Sequence, residues 1–173
     1  MTPLEYAASY SKDTAILRLL IEKGADIHNG GSLSTPLHSA AASNNLQNVT
    51  LLIELGADIN ARNRGGEFTS PQGTGRSETG GSTPLMQGVG SYECLDILLK
   101  AGANINFQNN EGKTALILAA QYGGDPRVIT LLLQNGANAR LEDNTGRTAL
   151  DWFDLNRHLS RNPVRRELRD RTR

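Results

Sequence analysis

Apolar residues cluster along the chain in four stripes with helical spacing: Ile16, Leu17, Leu19, Leu20 and Ile21; Val49, Leu51, Leu52 and Ile53; Cys94, Leu95, Ile97, Leu98 and Leu99; Val128, Ile129, Leu131, Leu132 and Leu133. Such spacing lines one face of a helix with core residues. A glycine follows each stripe: Gly24-Ala25-Asp26, Gly56-Ala57-Asp58, Gly102-Ala103-Asn104 and Gly136-Ala137-Asn138. Glycine there suits the left-handed position that ends a helix. A second, shorter segment precedes each stripe and opens on Thr2-Pro3-Leu4, Thr35-Pro36-Leu37, Thr83-Pro84-Leu85 or Thr114-Ala115-Leu116, with a partial copy at Thr148-Ala149-Leu150. Threonine caps a helix through its hydroxyl, and proline suits the first turn because its missing N–H would be unpaired there.

One unit shows how the pattern folds. After Thr35 and Pro36, the apolar face of Leu37, Ala40 and Ala41 is narrow, so a short helix packs closely on its neighbours. Asn44-Asn45 breaks it, the Val49–Ile53 helix follows, and Ala57-Asp58-Ile59-Asn60 leaves as an extended arm. Helix, turn, helix and arm cannot cover their own apolar surface, so units must stack. The openings lie 33, 48, 31 and 34 residues apart. Three of these spacings fit a period of about 33 residues.

With these landmarks over nearly its whole length, the chain resembles the ankyrin-repeat family. The resemblance implies an all-α ankyrin-repeat solenoid: four helix-turn-helix repeats plus a C-terminal capping repeat, with one long inserted hairpin loop. The repeats fall at about 2–34, 35–82 with an insertion at 62–81, 83–113, 114–147, and a cap at 148–173, forming a single domain over 1–173. His38 completes the Thr-Pro-Leu-His motif, whose histidine in this family bonds within and between repeats. Glu5, Met86 and Ile117 stand at its position elsewhere, so the expectation is that the inter-repeat bond is not repeated. Asn60 and Asn106 match the family's arm asparagines.

Three places depart from the pattern. The 48-residue spacing carries about 15 extra residues between Asn60 and Thr83, rich in Gly, Ser and Thr, with Phe68 as the one large apolar residue. Such composition argues against self-ordering; the functional alternative is a finger that orders on a partner, with Phe68 as anchor and Arg62, Arg64 and Arg76 as charges. The third unit reads Met86-Gln87-Gly88-Val89-Gly90 where its neighbours carry Ala40-Ala41 or Ala119-Ala120. Each glycine costs about 1 kcal/mol relative to alanine in a helix, which makes this the weakest unit. Asn48 stands in the register of Ile16, Cys94 and Val128, and nothing in the sequence accounts for it.

Net charge is zero, with 18 basic and 18 acidic residues, so no global field points to nucleic acid or membrane. Seven arginines gather between Arg157 and Arg173. A solvated face on the capping helix explains them better than an anionic ligand. The single cysteine, Cys94, suits a reducing compartment, cytoplasm or nucleus, and a buried apolar role. No metal-ligand spacing, phosphate-cradling loop or nucleophile motif occurs, so the expectation is no catalysis, no cofactor and no metal.

The family resemblance implies a protein partner held on a concave face of hairpin tips and first-helix ends. That points to Tyr10, Ser43, Tyr92 and Tyr122 at helix ends, with Phe68, Phe107, Asn110, Glu111, Leu141 and Asn144 near the tips. Tyrosine favours binding surfaces because it offers a large area with a polar handle. The reading is an adaptor, scaffold or inhibitor: a monomer with a protein partner, no small-molecule substrate and no membrane insertion, nucleic acid being disfavoured. Its rivals are an accessory, substrate-targeting domain of a larger enzyme or effector, and anionic-surface or nucleic-acid binding through the arginine-rich end.

Overall fold

A computed structural model gives the fold and describes residues 1–29, 34–64, 66–70, 73–77, 80–159 and 162–172, with backbone alone for 66–70 and 73–77. Helices of two kinds alternate. The first helices are α1 (Pro3–Tyr10), α3 (Pro36–Ala42), α5 (Pro84–Gln87), α7 (Ala115–Tyr122) and α9 (Ala149–Leu155). The second helices are α2 (Thr14–Glu22), α4 (Leu46–Glu54), α6 (Tyr92–Lys100), α8 (Pro126–Gln134) and α10 (Val164–Thr172). Each first helix packs on the next first helix, and each second helix on the next second helix, so the chain is a two-layered all-α solenoid.

The landmarks do the work their chemistry suggests. Thr2, Thr35, Thr114 and Thr148 each accept a hydrogen bond from the backbone N–H three residues on. Gly24, Gly56, Gly102 and Gly136 take φ of +92°, +87°, +91° and +89°, the left-handed region closed to most side chains. Between these punctuation marks, Leu37, Leu85, Leu116, Leu52, Leu98 and Leu132 are all buried. Each such leucine contributes about 1.5–3 kcal/mol.

The polar departure in second helix α4 has partners for its amide NH2, while its Oδ1 is buried without one. Asn48 is fully buried, and its Nδ2 donates to the carbonyls of Ala7, Ala8 and Ser11 at 3.2, 3.1 and 2.9 Å. These carbonyls lie at the C-terminal end of α1, where helical donors run out; that of Ala7 also accepts from Ser11 N at 2.9 Å. Asn156 repeats the device on Ala120, Gln121 and Gly123. Position Asn48 therefore bonds the unit before it rather than filling apolar space.

Tips join the units along one edge. Asn109 Oδ1 accepts from the N–H groups of Glu111 and Lys113, and Asp143 Oδ1 from those of Thr145 and Arg147. The insertion leaves from this same turn: Asn63 Oδ1 accepts from Ser82 N at 2.8 Å, and Asn63 N donates to Ser82 O at 2.9 Å. Beyond this clamp, β1 (Gly66–Ser70) and β2 (Gly73–Ser77) pair antiparallel, from Gly66 opposite Ser77 to Ser70 opposite Gly73. The composition argued against such order. Backbone pairing needs no apolar side chain, and the Asn63–Ser82 clamp brings the two arms together. Among the described residues these are the only strands.

The third unit is shortened as well as glycine-rich. Helix α5 has only four residues, and the Thr83 hydroxyl is buried without a partner. Gly88 has a packing role the sequence did not suggest: a Cβ there would stand 2.9 Å from Cys94 Sγ. Cys94 is fully buried, as expected for a small apolar residue, and fills the volume that an alanine at position 88 would take. The array ends on α10, where Leu168 is buried, Arg165 forms a two-pronged pair with Asp154 at 2.6 and 2.7 Å, and Arg171 donates to the Leu133 carbonyl.

Two outcomes follow from this packing. Gly88→Ala should destabilise by about 1–3 kcal/mol through overpacking despite alanine's helical preference. Adding Cys94→Ala should recover part of that loss, so the two changes are non-additive in chemical denaturation. Replacing residues 64–80 by Asn-Glu rebuilds the tip as Asn63-Asn-Glu-Gly81, the pattern of Asn109-Asn110-Glu111-Gly112. Its unfolding free energy should stay within about 1 kcal/mol of the parent, because closure entropy changes slowly with loop length.

Candidate partner-binding surface

The surface is carried by first helices and tips, so the joints between units set its geometry. His38 is buried at one such joint. Its Nδ1 accepts from Thr35 N at 3.2 Å, which leaves the proton on Nε2 to donate to the Ser82 carbonyl at 2.9 Å. This is the bond within and between units that the family motif implies. The expectation that position 5 lacks a counterpart is overturned. Glu5 Oε2 accepts from Thr2 N at 2.5 Å, and Ser34 Oγ, at the turn leading into Thr35 of the next unit, donates to Glu5 Oε1 at 3.2 Å. A carboxylate reaches as far as an imidazole and, like it, can bond in two directions.

The arms are linked by carboxamides. Asn60 Oδ1 accepts from Asn104 N at 2.8 Å, and Asn106 Oδ1 from Asn138 N at 2.8 Å. Tips are linked by backbone: Asn110 N donates to Gly80 O, and Asn144 N to Glu111 O.

On this frame the first helices expose aromatic rings. Tyr10 is 45% and Tyr122 70% exposed, and Ser43 is exposed between them in the order of units. Tyr6, not anticipated from the sequence, is 61% exposed and packs against Tyr10 in a tilted pair with ring centroids 4.9 Å apart. Its signal was the four-residue spacing from Tyr10, which places both rings on one side of α1. Near the C-terminal end, Lys113 Nζ lies 5.8 Å from the Tyr122 ring centre and 5.0 Å from that of Trp152. The Arg147 guanidinium covers Trp152 at 4.8 Å. Trp152 is fixed by its indole N–H, which donates to Asp143 Oδ2 at 2.7 Å. Burial opposes ionisation of Asp143, but hydrogen bonds from Thr145, Trp152 and Arg147 outweigh it and hold the carboxyl below its ordinary value.

The other candidate residues separate into groups. Asn110 and Asn144 are exposed tip residues, joined by a bond from Asn144 Nδ2 to the Asn110 carbonyl. Glu111 pairs with Lys113 at 3.1 Å. Phe107 and Leu141 are half-buried, and Phe107 packs against the core. Tyr92 lies elsewhere: it opens second helix α6, with Arg127 over its ring at 5.5 Å. The shortened third unit displaces it from the first-helix row. The Phe68 side chain lies outside the described residues. Arg62 donates to the Gly81 and Gln108 carbonyls and so helps tie the insertion to the next unit. Among the described residues, no cluster of His, Cys, Asp and Glu is suited to a metal, and no helix is long and apolar enough to cross a membrane.

Comparison with known proteins agrees with this frame. The family model described as ankyrin repeats (3 copies) matches residues 1–63 and 85–158. The chain belongs to the ankyrin-repeat family. Among similar ankyrin proteins, ankyrin repeat and SOCS box protein 5 of Mus musculus is 47% identical over 62 residues, 36% of this chain and 18% of its own length. Ankyrin repeat and SOCS box protein 11 of Homo sapiens is 39% identical over 66 residues, 38% of this chain and 20% of its own. Rabankyrin-5 of Homo sapiens is 37% identical over 99 residues, 54% of this chain and 8% of its own. Each match thus spans a fifth or less of the relative. Ankyrin repeats generally mediate protein–protein interaction and are typically non-enzymatic.

The His38 joint should respond to acid. Burial holds its pKa below the ordinary imidazole value of 6.5, against opposing pulls from the Ser82 and Ala61 carbonyls and the Asp58 carboxylate. The unfolded chain therefore binds the proton more readily than the folded one. The joint's contribution is complete above about pH 6.5 and declines as pH falls below it. Thermal midpoints measured from pH 7.5 to 5.5 should fall in the parent and fall less in His38→Gln.

Proposed function

We propose that this chain is a protein-interaction module, an adaptor, scaffold or inhibitor, that grips a partner protein through its first-helix face and tips and performs no chemistry itself. The observation that carries the proposal is the exposure of Tyr6, Tyr10 and Tyr122 on first helices whose opposite sides are buried. Exposed rings held on rigid helices offer contact area at small entropic cost. Ser43 between them and Asn110, Glu111 and Asn144 at the tips supply polar contacts at the rim.

Two other readings have less support. An accessory, substrate-targeting domain of a larger enzyme or effector would use the same face, since the relatives extend far beyond the matched segment. Anionic ligands at the arginine-rich end are disfavoured because Arg165 and Arg171 are engaged in holding α10.

The test is affinity capture of a partner followed by titration of variants. Tyr6→Ala, Tyr10→Ala and Tyr122→Ala should leave the melting temperature unchanged, because the rings are exposed. Each should weaken binding, by about 2 kcal/mol for rings at the centre of the interface. Exposed Arg166 and Arg169 should matter little when replaced by alanine. Intact affinity in the tyrosine variants, with loss in the arginine variants, would move the site to the basic end.

A further inference from the structure

The exposed rings have different company at the two ends of the array. The position just ahead of each capping threonine is held by Met1, Ser34 and Ser82 in the first three units and by Lys113 and Arg147 in the last two. Basic side chains on this row therefore fall only at the C-terminal end. Both lie over Trp152, the Lys113 ammonium at 5.0 Å and the Arg147 guanidinium at 4.8 Å from its ring centre. Tyr122, 5.8 Å from Lys113 Nζ, is 70% exposed, and Leu155, three residues on from Trp152 along α9, is 60% exposed.

The two cations are not equivalent. Lys113 is buried, and its ammonium is paired with Glu111 at 3.1 Å. Arg147 is exposed, and its guanidinium makes no hydrogen bond or ion pair with any described residue. The acids beside it in sequence are engaged elsewhere. Asp143 accepts from Thr145, from the Trp152 indole and from the backbone N–H of Arg147, and Asp151 accepts from Thr148. Arg127, which also lies over a ring, has its fork taken up by Asp125 at 2.9 and 2.7 Å. Among the described residues Arg147 is thus the one arginine held over a ring with its donors open. A guanidinium fixed on an indole has already lost much of its freedom, and its planar fork matches a carboxylate.

We propose that Arg147 anchors an acidic segment of the partner protein, with one aspartate or glutamate carboxylate on its fork and an apolar neighbour against Tyr122 and Leu155. The proposal rests on the first-helix face being the binding surface. It adds the partner's chemistry and its direction: acidic where it meets Trp152, apolar or aromatic where it meets Tyr6 and Tyr10. A carboxylate fits better than a phosphate. A dianionic phosphate calls for more than one free cation, and Lys113 is already neutralised by Glu111. Arg147 belongs to the tip ahead of α9, apart from the arginines of α10.

The probe is the synthetic peptide acetyl-Glu-Glu-Leu-Glu-Glu-amide, titrated into the intact, isotope-labelled chain and followed by nuclear magnetic resonance. The control is acetyl-Lys-Lys-Leu-Lys-Lys-amide. Trp152 is the single tryptophan, so its indole N–H gives one resonance at the site. The expected result is a saturable shift of that resonance and of the Arg147 side-chain N–H with the acidic peptide alone. Arg147→Ala should weaken binding about tenfold or more. Arg147→Lys should weaken it several-fold, since an ammonium lacks the fork. Thermal midpoints close to the parent's will show that both variants fold, as the exposure of the side chain implies. No saturable shift, or one that persists in Arg147→Ala or is equal in Arg147→Lys, overturns the proposal. So does a larger response to inorganic phosphate than to the peptide, because the ligand is then a phosphate group. The face itself is judged by the tyrosine variants against the captured partner. If Tyr6→Ala and Tyr10→Ala weaken that partner while the peptide ignores Arg147, only the acidic anchor falls. If the tyrosine changes have no effect, the face falls and the anchor falls with it.

Discussion

Each helical pair ahead of the last is apolar on two flanks, and a pair can bury only what a neighbour covers. That constraint governs the rest. It explains why the first helices are narrow, with Ala40 and Ala41 or Ala119 and Ala120 where larger side chains would hold the units apart. It also makes stability a sum of nearest-neighbour terms rather than the property of one central core. A defect in one unit is therefore felt first at its two joints. The third unit shows this: a four-residue α5, an uncapped Thr83 and the Gly88–Cys94 contact all fall within one joint.

Apolar stacking alone does not fix how far one unit turns on the next, since greasy faces slide. The polar atoms at the joints are directional and do fix it. His38 to the Ser82 carbonyl, Glu5 to Ser34, Asn48 to the carbonyls at the end of α1, and Asn60 and Asn106 to the following arms all bridge adjacent units. The His38 and Asn48 bonds are buried, so breaking one leaves a donor or acceptor without a partner, which costs more than the bond itself contributes. The joints thus hold the exposed rings of the first helices at set separations, so that the face is already ordered in the free chain.

The repeat landmarks were legible because their causes are local. A threonine that caps and a glycine with positive φ act within a few residues of themselves, and their recurrence gave the fold. What was not legible depends on distant chain. Asn48 reads as a defect until the carbonyls of Ala7, Ala8 and Ser11, about 40 residues away, are placed beside it. Glu5 reads as a lost histidine until Ser34 is seen to bond it. On the candidate surface, Tyr10 and Tyr122 were found by alignment of helix ends, and Tyr92 was misplaced by the same alignment because the third unit is shorter. Tyr6 was missed although its spacing from Tyr10 was on view, since spacing alone does not tell an exposed ring from a buried one.

The contact between Gly88 and Cys94 has a consequence for observing the molecule. Burial pushes the Cys94 thiol up to about 12, so at neutral pH the folded chain holds almost no thiolate. Alkylating reagents attack the thiolate, and this is the chain's single sulfhydryl. The rate of its modification is consequently a clock for the opening of one particular joint. The array carries a native reporter at the place where its shortest helix, its uncapped threonine and its long insertion converge, and the motion of that place can be timed without adding a label anywhere else.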